Sequence, residues 1–273
     1  ALTEADSYEL DAMFDFNIAN GINVERPTPD ESRLLAPGLS PDTHGTLFFQ
    51  HDAWVDNTAL TQAIVRAAQN AGVVFERATV DGVERGSGSR GPTGVRWAGQ
   101  VQWADWVVVA AGCWSGRISG MPPLPVEPAR GQALAVAGQP VQRVVMSPRG
   151  YLVPRGDDQT LLGATVEEVG FDQSNTLDGV REVSAAGLEI APVLRQCEFL
   201  GAWAGLRPAT PDKLPFIGPF KGWENLIAAT GHFRNGILLA PITAEMVRGI
   251  VTGQAPPIDF RPFSPDRVIK GRN

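Results

Sequence analysis

Apolar and polar positions alternate along this chain in two different textures. In the first, short apolar runs take turns with helical spacings. The stretch "DNTALTQAIVRAAQNAG" (56–72) sets Leu60, Ile64, Ala67 and Ala68 three and four residues apart, which predicts a helix with that face turned inward. Asp56 or Asn57 can cap it and Gly72 ends it. "VVFERATV" (73–80) predicts a return strand, and "VRWAGQVQWADWVVVAAGCWSG" (95–116) a hairpin followed by a buried strand from Trp106 to Ala110. Near the end, "NLIAAT" (225–230) reads as a short buried strand. Ile237, Leu238, Leu239, Ala244, Met246, Val247, Ile250 and Val251 then follow helical spacing until Gly253.

The second texture is strand on strand. "RGQALAV", "QRVVMS", "YLVPRG" and "TLLGATVEE" are apolar runs divided by turn residues, the pattern of an antiparallel sheet. A helix near 176–190 and a strand in "FLGAWAGLRPAT" follow, while residues 2–15 predict a helix with Leu10, Met13 and Phe14 on one face. A strand and its exit are expected within 43–56. Because the first texture returns after the second, two interleaved domains are expected. One holds 1–52 and 124–203, the other 53–123 and 204–273.

Composition narrows the function classes. At ~150 residues per domain, 273 residues allow one or two domains with a real core. A net charge of −7 and a pI near 5 argue against nucleic acid and against anionic membrane surfaces. No apolar run reaches the ~20 residues of a bilayer span, and no leader pattern opens the chain. Cys113 and Cys197 cannot build a disulfide framework and read as buried small hydrophobes, and three histidines leave little for a metal site. A cytoplasmic setting fits.

Two motif matches are decoys. "GSGSRG" (86–91) fits the dinucleotide fingerprint by letters, but a strand and not a helix follows it, so a hairpin loop is expected. "RGD" (155–157) is a turn after a strand. The stretch "ATGHFRNGILLAP" (229–241) is different: strand, tight glycine loop, helix. Such a loop offers free backbone N–H groups and the Arg234 guanidinium at a helix N-terminus, where an anion or an electron-rich ring is welcome. Arg207, set between Leu206 and Pro208, is either a surface arginine or a bidentate grip for a carboxylate. Tyr151 reads either as core packing or as a site residue. Ala111 and Gly112 either turn the chain or let a ligand reach the backbone. His232 has no carboxylate partner by sequence, which favours packing over catalysis.

Six stretches in collinear order carry a resemblance: "HDAWVDNTALTQAIVRAAQNAGVVFERATV", "VVVAAGCWS", "PARGQALAV", "YLVPRGDDQTLLGATVEEVGFD", "WAGLRPATPDKLPFIG" and "ATGHFRNGILLAP". Together they resemble the flavin-dependent D-amino-acid oxidase family, on the side of its glycine oxidase members that serve thiamine biosynthesis. The resemblance implies an α/β with α+β chain, in which a Rossmann-like FAD-binding domain is interleaved with an antiparallel-sheet substrate domain. It implies FAD as cofactor and a glycine- or sarcosine-like amino acid or amine as substrate. Hydride would pass from Cα to flavin N5, and hydrogen peroxide would form on reoxidation; a flavin amino-acid dehydrogenase would share most of these residues.

By the same resemblance Arg207 binds the substrate carboxylate, Arg234 is a second substrate contact beside the flavin, and Tyr151 lies over the ring. His232, Phe233, Arg234, Asn235, Gly236, Ile237 and Leu238 wrap the ring, and Val80 gives a backbone contact to the adenine half. No metal and no side-chain nucleophile is implied. The family opens with a strand, a Gly-rich turn and a helix that seat the FAD pyrophosphate, and this sequence begins at a later helix. That leads to the expectation of an incomplete FAD domain, with a non-catalytic or partner-dependent remnant as the alternative to the oxidising enzyme, and with a homo-oligomer or a segment supplied in trans as the partner.

Overall fold

A computed structural model describes residues 1–87, 91 and 93–267, with the backbone alone at Glu224. The chain divides into two compact units. The first comprises Ala1–Asp56, Arg130–Glu167 and Asp172–Gly205, the second Asn57–Ala129, Glu168–Phe171 and Leu206–Asn273.

A five-stranded sheet dominates the first unit. Strands β5 (Glu127–Ala137), β6 (Val145–Ser147), β7 (Gly150–Arg155), β8 (Gln159–Gly163) and β9 (Phe199–Ala209) lie in the order β6-β7-β8-β5-β9. β6, β7, β8 and β5 pair antiparallel, with Leu152 opposite Leu162 and Leu162 opposite Leu134. These leucines are buried with Val136, Val141, Val183, Ile190 and Leu194. Val183 and Ile190 come from helix α4 (Leu177–Ile190), whose N-cap Thr176 accepts from Gly179 N–H.

Helix α1 runs Glu4–Ala19; it starts later than the expected 2–15 because Thr3 and Asp6 form a capping box there, and it ends four residues further on. None of its residues is buried, and Met13 is exposed. The short helix α2 (Pro29–Leu35) begins with the same device at Thr28 and Glu31. The strand expected within 43–56 reduces to one antiparallel bridge between Glu25 and Phe48. Cys197 is half-buried at the rim of the core and not enclosed.

In the second unit, β1 (Gly82–Arg85), β2 (Thr93–Trp97) and β3 (Gln100–Ala104) form an antiparallel meander. A second sheet has the order β10-β11-β4, with β10 (Phe216–Phe220) antiparallel and β4 (Val107–Val109) parallel to β11 (Trp223–Thr230). Its core gathers Val83, Val107, Val109, Leu124, Val126, Phe216, Phe220, Leu226 and Ala228.

Helix α3 (Asn57–Asn70) forms as the spacing predicts, but its apolar face does not turn inward. Leu60 is exposed, Ile64 is 57% exposed, and no residue of α3 is buried. "VVFERATV" makes no ladder, and Val74 in it is 80% exposed. β4 stops at Val109 and its central Val108 is exposed, against the expected buried strand from Trp106 to Ala110. Of the three, only the helix forms as expected, and in each place apolar side chains stay uncovered by described residues. "GSGSRG" lies largely outside the described residues; the described strands that flank it, β1 and β2, pair antiparallel. The turn at 156–158 follows β7, as "RGD" predicts.

Candidate functional site

The loop between β11 and helix α5 (Gly236–Thr252) is set by backbone geometry. Gly231 has φ +80°, and a Cβ there would meet Thr210 Cγ2 at 2.5 Å, so only glycine fits. Phe233 also sits in the left-handed region, at φ +49°. It is held there by its N–H, which donates to Pro208 O at 2.9 Å. That bond ties the loop to the end of β9 and brings the backbones of Arg207 and Arg234 into one neighbourhood within the second unit. Arg207 is half-buried and has a partner of its own, and Arg234 is exposed.

Asn235 N–H donates to His232 O, and Leu239 N–H closes the first helical turn on Asn235 O, both at 2.9 Å. Asn235 is the N-cap but makes no side-chain capping bond. Among the described residues nothing accepts from the N–H groups of Gly236, Ile237 and Leu238, and the last two side chains are exposed. Three open donors at the start of a 17-residue helix, with about half a positive charge there, suit an anion or an electron-rich ring edge.

Behind this loop lies a chain of hydroxyls. Ser115 Oγ donates to Thr230 Oγ1 at 3.0 Å, and Thr230 Oγ1 donates to Gly112 O at 3.1 Å. Both side chains are buried, and Gly112 has φ +55° with open space where a Cβ would point. The turn after β4 and the turn after β11 are thereby fixed to each other. Cys113 beside them has its thiol pKa raised by burial, which makes it inert. His232 Nε2 lies 3.0 Å from Thr243 Oγ1 in α5, and burial holds its pKa below the ordinary imidazole value. Its partner is a hydroxyl, so a carboxylate-assisted base is absent among the described residues.

Each unit also holds an arginine–carboxylate cluster. In the second unit Arg267 grips Asp212 with two bonds of 2.8 Å and lies 3.9 Å from the Phe216 ring centre. The Arg267 bond, assisted by Leu214 N–H, lowers the Asp212 pKa to about 2. In the first unit Arg130, 3% exposed, donates to Glu167 at 2.6 Å and to Asp172 at 2.7 Å. Gln132 and Thr165 donate to the other Glu167 oxygen. Arg130 chiefly, then these two donors, hold the Glu167 pKa at about 2.

Tyr151, in the first unit, stands opposite Gly163 in the β7–β8 pair. A Cβ on Gly163 would overlap the Tyr151 ring, so the glycine is what lets the ring lie across the strand. The ring is half-buried, and its hydroxyl has no hydrogen-bond partner among the described residues. Val80 is exposed on the loop before β1, in the second unit. Sequence reasoning missed Ser115, Thr230 and Thr243. The available signal was a lone hydroxyl at position 243, inside the inward stripe of α5 that also carries Met246. Two surface cavities, around Arg26 and His44 and around Pro37 and Pro192, are lined by residues of the first unit.

The model of the family described as FAD dependent oxidoreductase matches residues 1–249. The chain is 37% identical over 249 residues to the bifunctional protein ThiO/ThiG of Synechocystis sp., covering 88% of this chain and 37% of that protein. It is 39% identical over 179 residues to glycine oxidase of Pseudomonas putida, covering 64% of this chain and 49% of that one. The crystal structure of glycine oxidase from Geobacillus kaustophilus superposes with a TM-score of 0.91 at 30% identity, over 98% of this chain and 73% of that chain. The chain thus spans between about a third and a half of the length of these two curated relatives.

Proposed function

The chain belongs to the FAD dependent oxidoreductase family, and on that premise we propose that it carries the ring-binding and substrate-binding parts of a flavoenzyme that oxidises a glycine- or sarcosine-like amino acid or amine. The observation that carries the reading is the first turn of α5, with three open N–H groups behind a left-handed loop tied to the strand of Arg207. Residues His232 to Leu238 would hold the flavin ring edge, and Val80 the adenine half. When bound, FAD supplies a two-electron acceptor. The open N–H groups favour negative charge at the ring edge and are already oriented, so they need no reorganisation. Arg207 grips the substrate carboxylate, and Arg234 adds a second cationic contact. His232 stays neutral and positions, without taking a proton. The second unit is assigned to the cofactor and carries both substrate arginines.

A partner-dependent form of the same reading is favoured by the uncovered apolar face of α3 and by Val108 on β4. One experiment tests both. The purified chain is titrated with FAD, then given glycine or sarcosine without oxygen. Flavin uptake followed by bleaching of its absorption band is expected. Stoichiometric flavin that no small amino acid or amine bleaches would overturn the oxidation reading. Uptake only after a further polypeptide is added would select the partner-dependent form.

A further inference from the structure

Thr243 is buried in α5, and the only hydrogen bond of its side chain among the described residues is the 3.0 Å contact to His232 Nε2. A threonine within a helix usually turns its hydroxyl to the carbonyl one turn back. Thr61 does so to Asn57 O at 2.7 Å, and Thr252 to Arg248 O at 2.8 Å. Thr243 is turned to the imidazole instead. This choice fixes the protons. If Nε2 carried a hydrogen and donated it, the buried Thr243 proton would have no acceptor, at the cost of an unmade buried bond. With the hydrogen on Nδ1, Thr243 donates to the Nε2 lone pair and the pair is satisfied. A charged imidazolium would leave the same proton stranded, and it would stand beside the positive end of α5. The His232 Cβ lies against the first turn, 3.7 Å from where a Cβ on Gly236 would be.

We propose that Thr243 is a positioning residue that fixes His232 as the neutral Nδ1–H tautomer, so that the loop offers an imidazole N–H donor next to the open backbone N–H groups of α5. This rests on the reading that the loop holds the flavin ring, but its first test does not need flavin. The chain has three histidines, His44, His51 and His232, so nitrogen NMR of the histidine-labelled chain is assignable with a His232→Asn variant. Near neutral pH the expected pattern for His232 is a protonated Nδ1 and a bare, hydrogen-bonded Nε2. Thr243→Val should release the ring to the Nε2–H form that free imidazole side chains favour in water, and Thr243→Ser should keep the Nδ1–H form. A wild-type Nε2–H pattern, or a Thr243→Val spectrum identical to wild type, would overturn the proposal. If Thr243→Val does not fold, the wild-type and Thr243→Ser spectra decide alone. FAD titration of the same proteins forms the second arm: roughly tenfold weaker binding is expected for Thr243→Val, and unchanged affinity for Thr243→Ser. Unchanged FAD affinity in a Thr243→Val protein whose tautomer has switched would overturn the donor role. A chain with the expected tautomer that never takes flavin would instead refute the reading of the site.

Discussion

The two arginine-rich regions of this chain use polar groups in opposite ways. Around Arg130 in the first unit, one Glu167 carboxylate takes bonds from an arginine, a glutamine and a threonine, and Gln132 also accepts from Thr176 N–H. Apart from Arg130 Nε, which is buried with no partner among the described residues, those groups are consumed internally, which makes them structure. Around the start of α5 in the second unit, three backbone N–H groups have no acceptor among the described residues, although the hydroxyls behind them are paired. Those donors are on offer. The lesson is that polarity alone does not mark a site. What marks it is unspent bonding capacity held still by groups whose own capacity is spent.

The largest expected effect asks whether the second unit is as closed beneath its open loop as the first. Phe216, the first residue of β10, is fully buried, and Phe216→Ala should cost about 3–5 kcal/mol in urea unfolding. A cost under about 1 kcal/mol would break the comparison, because the loop would then rest on no core. Next comes the offered region itself. In flavin-loaded protein Arg207→Leu should raise KM for glycine well over tenfold, roughly 2–4 kcal/mol, with flavin content unchanged. An unchanged KM would remove the carboxylate from this neighbourhood.

The consumed region is probed by acid. Glu167 has a folded pKa of about 2, below its ordinary 4.5. Its contribution is therefore complete above pH 4.5 and lost as pH falls through about 2. Unscreened, the shift would correspond to roughly 3 kcal/mol, and solvent at the partly exposed carboxylate reduces it. Glu167→Gln should lower stability at neutral pH and flatten the loss between these two pH values. Asp212 titrates in the same window in the second unit and keeps its own share of that slope. A Glu167→Gln curve parallel to wild type would show that Arg130 does not depend on this carboxylate. The smallest effect is expected at Ile64: Ile64→Ser should change stability by no more than about 0.5 kcal/mol, since the side chain lies in solvent. A clearly larger loss would mean that something covers α3 in solution.

Much of the secondary structure was legible because turns and caps are local. Thr176 before α4, Gly253 after α5, and the turns dividing β5 to β8 announce themselves within a few residues. "VVFERATV" and the inward face of α3 were not legible in the same way. Periodicity says that a segment is able to pair or pack, and it carries nothing about whether a partner is present. The loop at 231–236 could be read from its glycines and its place between a strand and a helix. Its supports could not. Ser115 lies 115 residues from Thr230, and Arg130 lies 37 from Glu167, so only the folded chain reveals which hydroxyl or carboxylate each one meets.

Pro241 gives α5 an unusual beginning. Of its first six positions, Gly236, Ile237, Leu238 and Pro241 close no helical bond through their nitrogens: three N–H groups are open among the described residues, and proline has none. In amide hydrogen exchange α5 should therefore behave as two segments: the amides of 236–238 are expected to trade their hydrogens quickly, and those around the buried Met246 and Gly249 to be protected. The first turn can then tighten around whatever accepts from it, or relax when that is gone, without unwinding the rest of the helix.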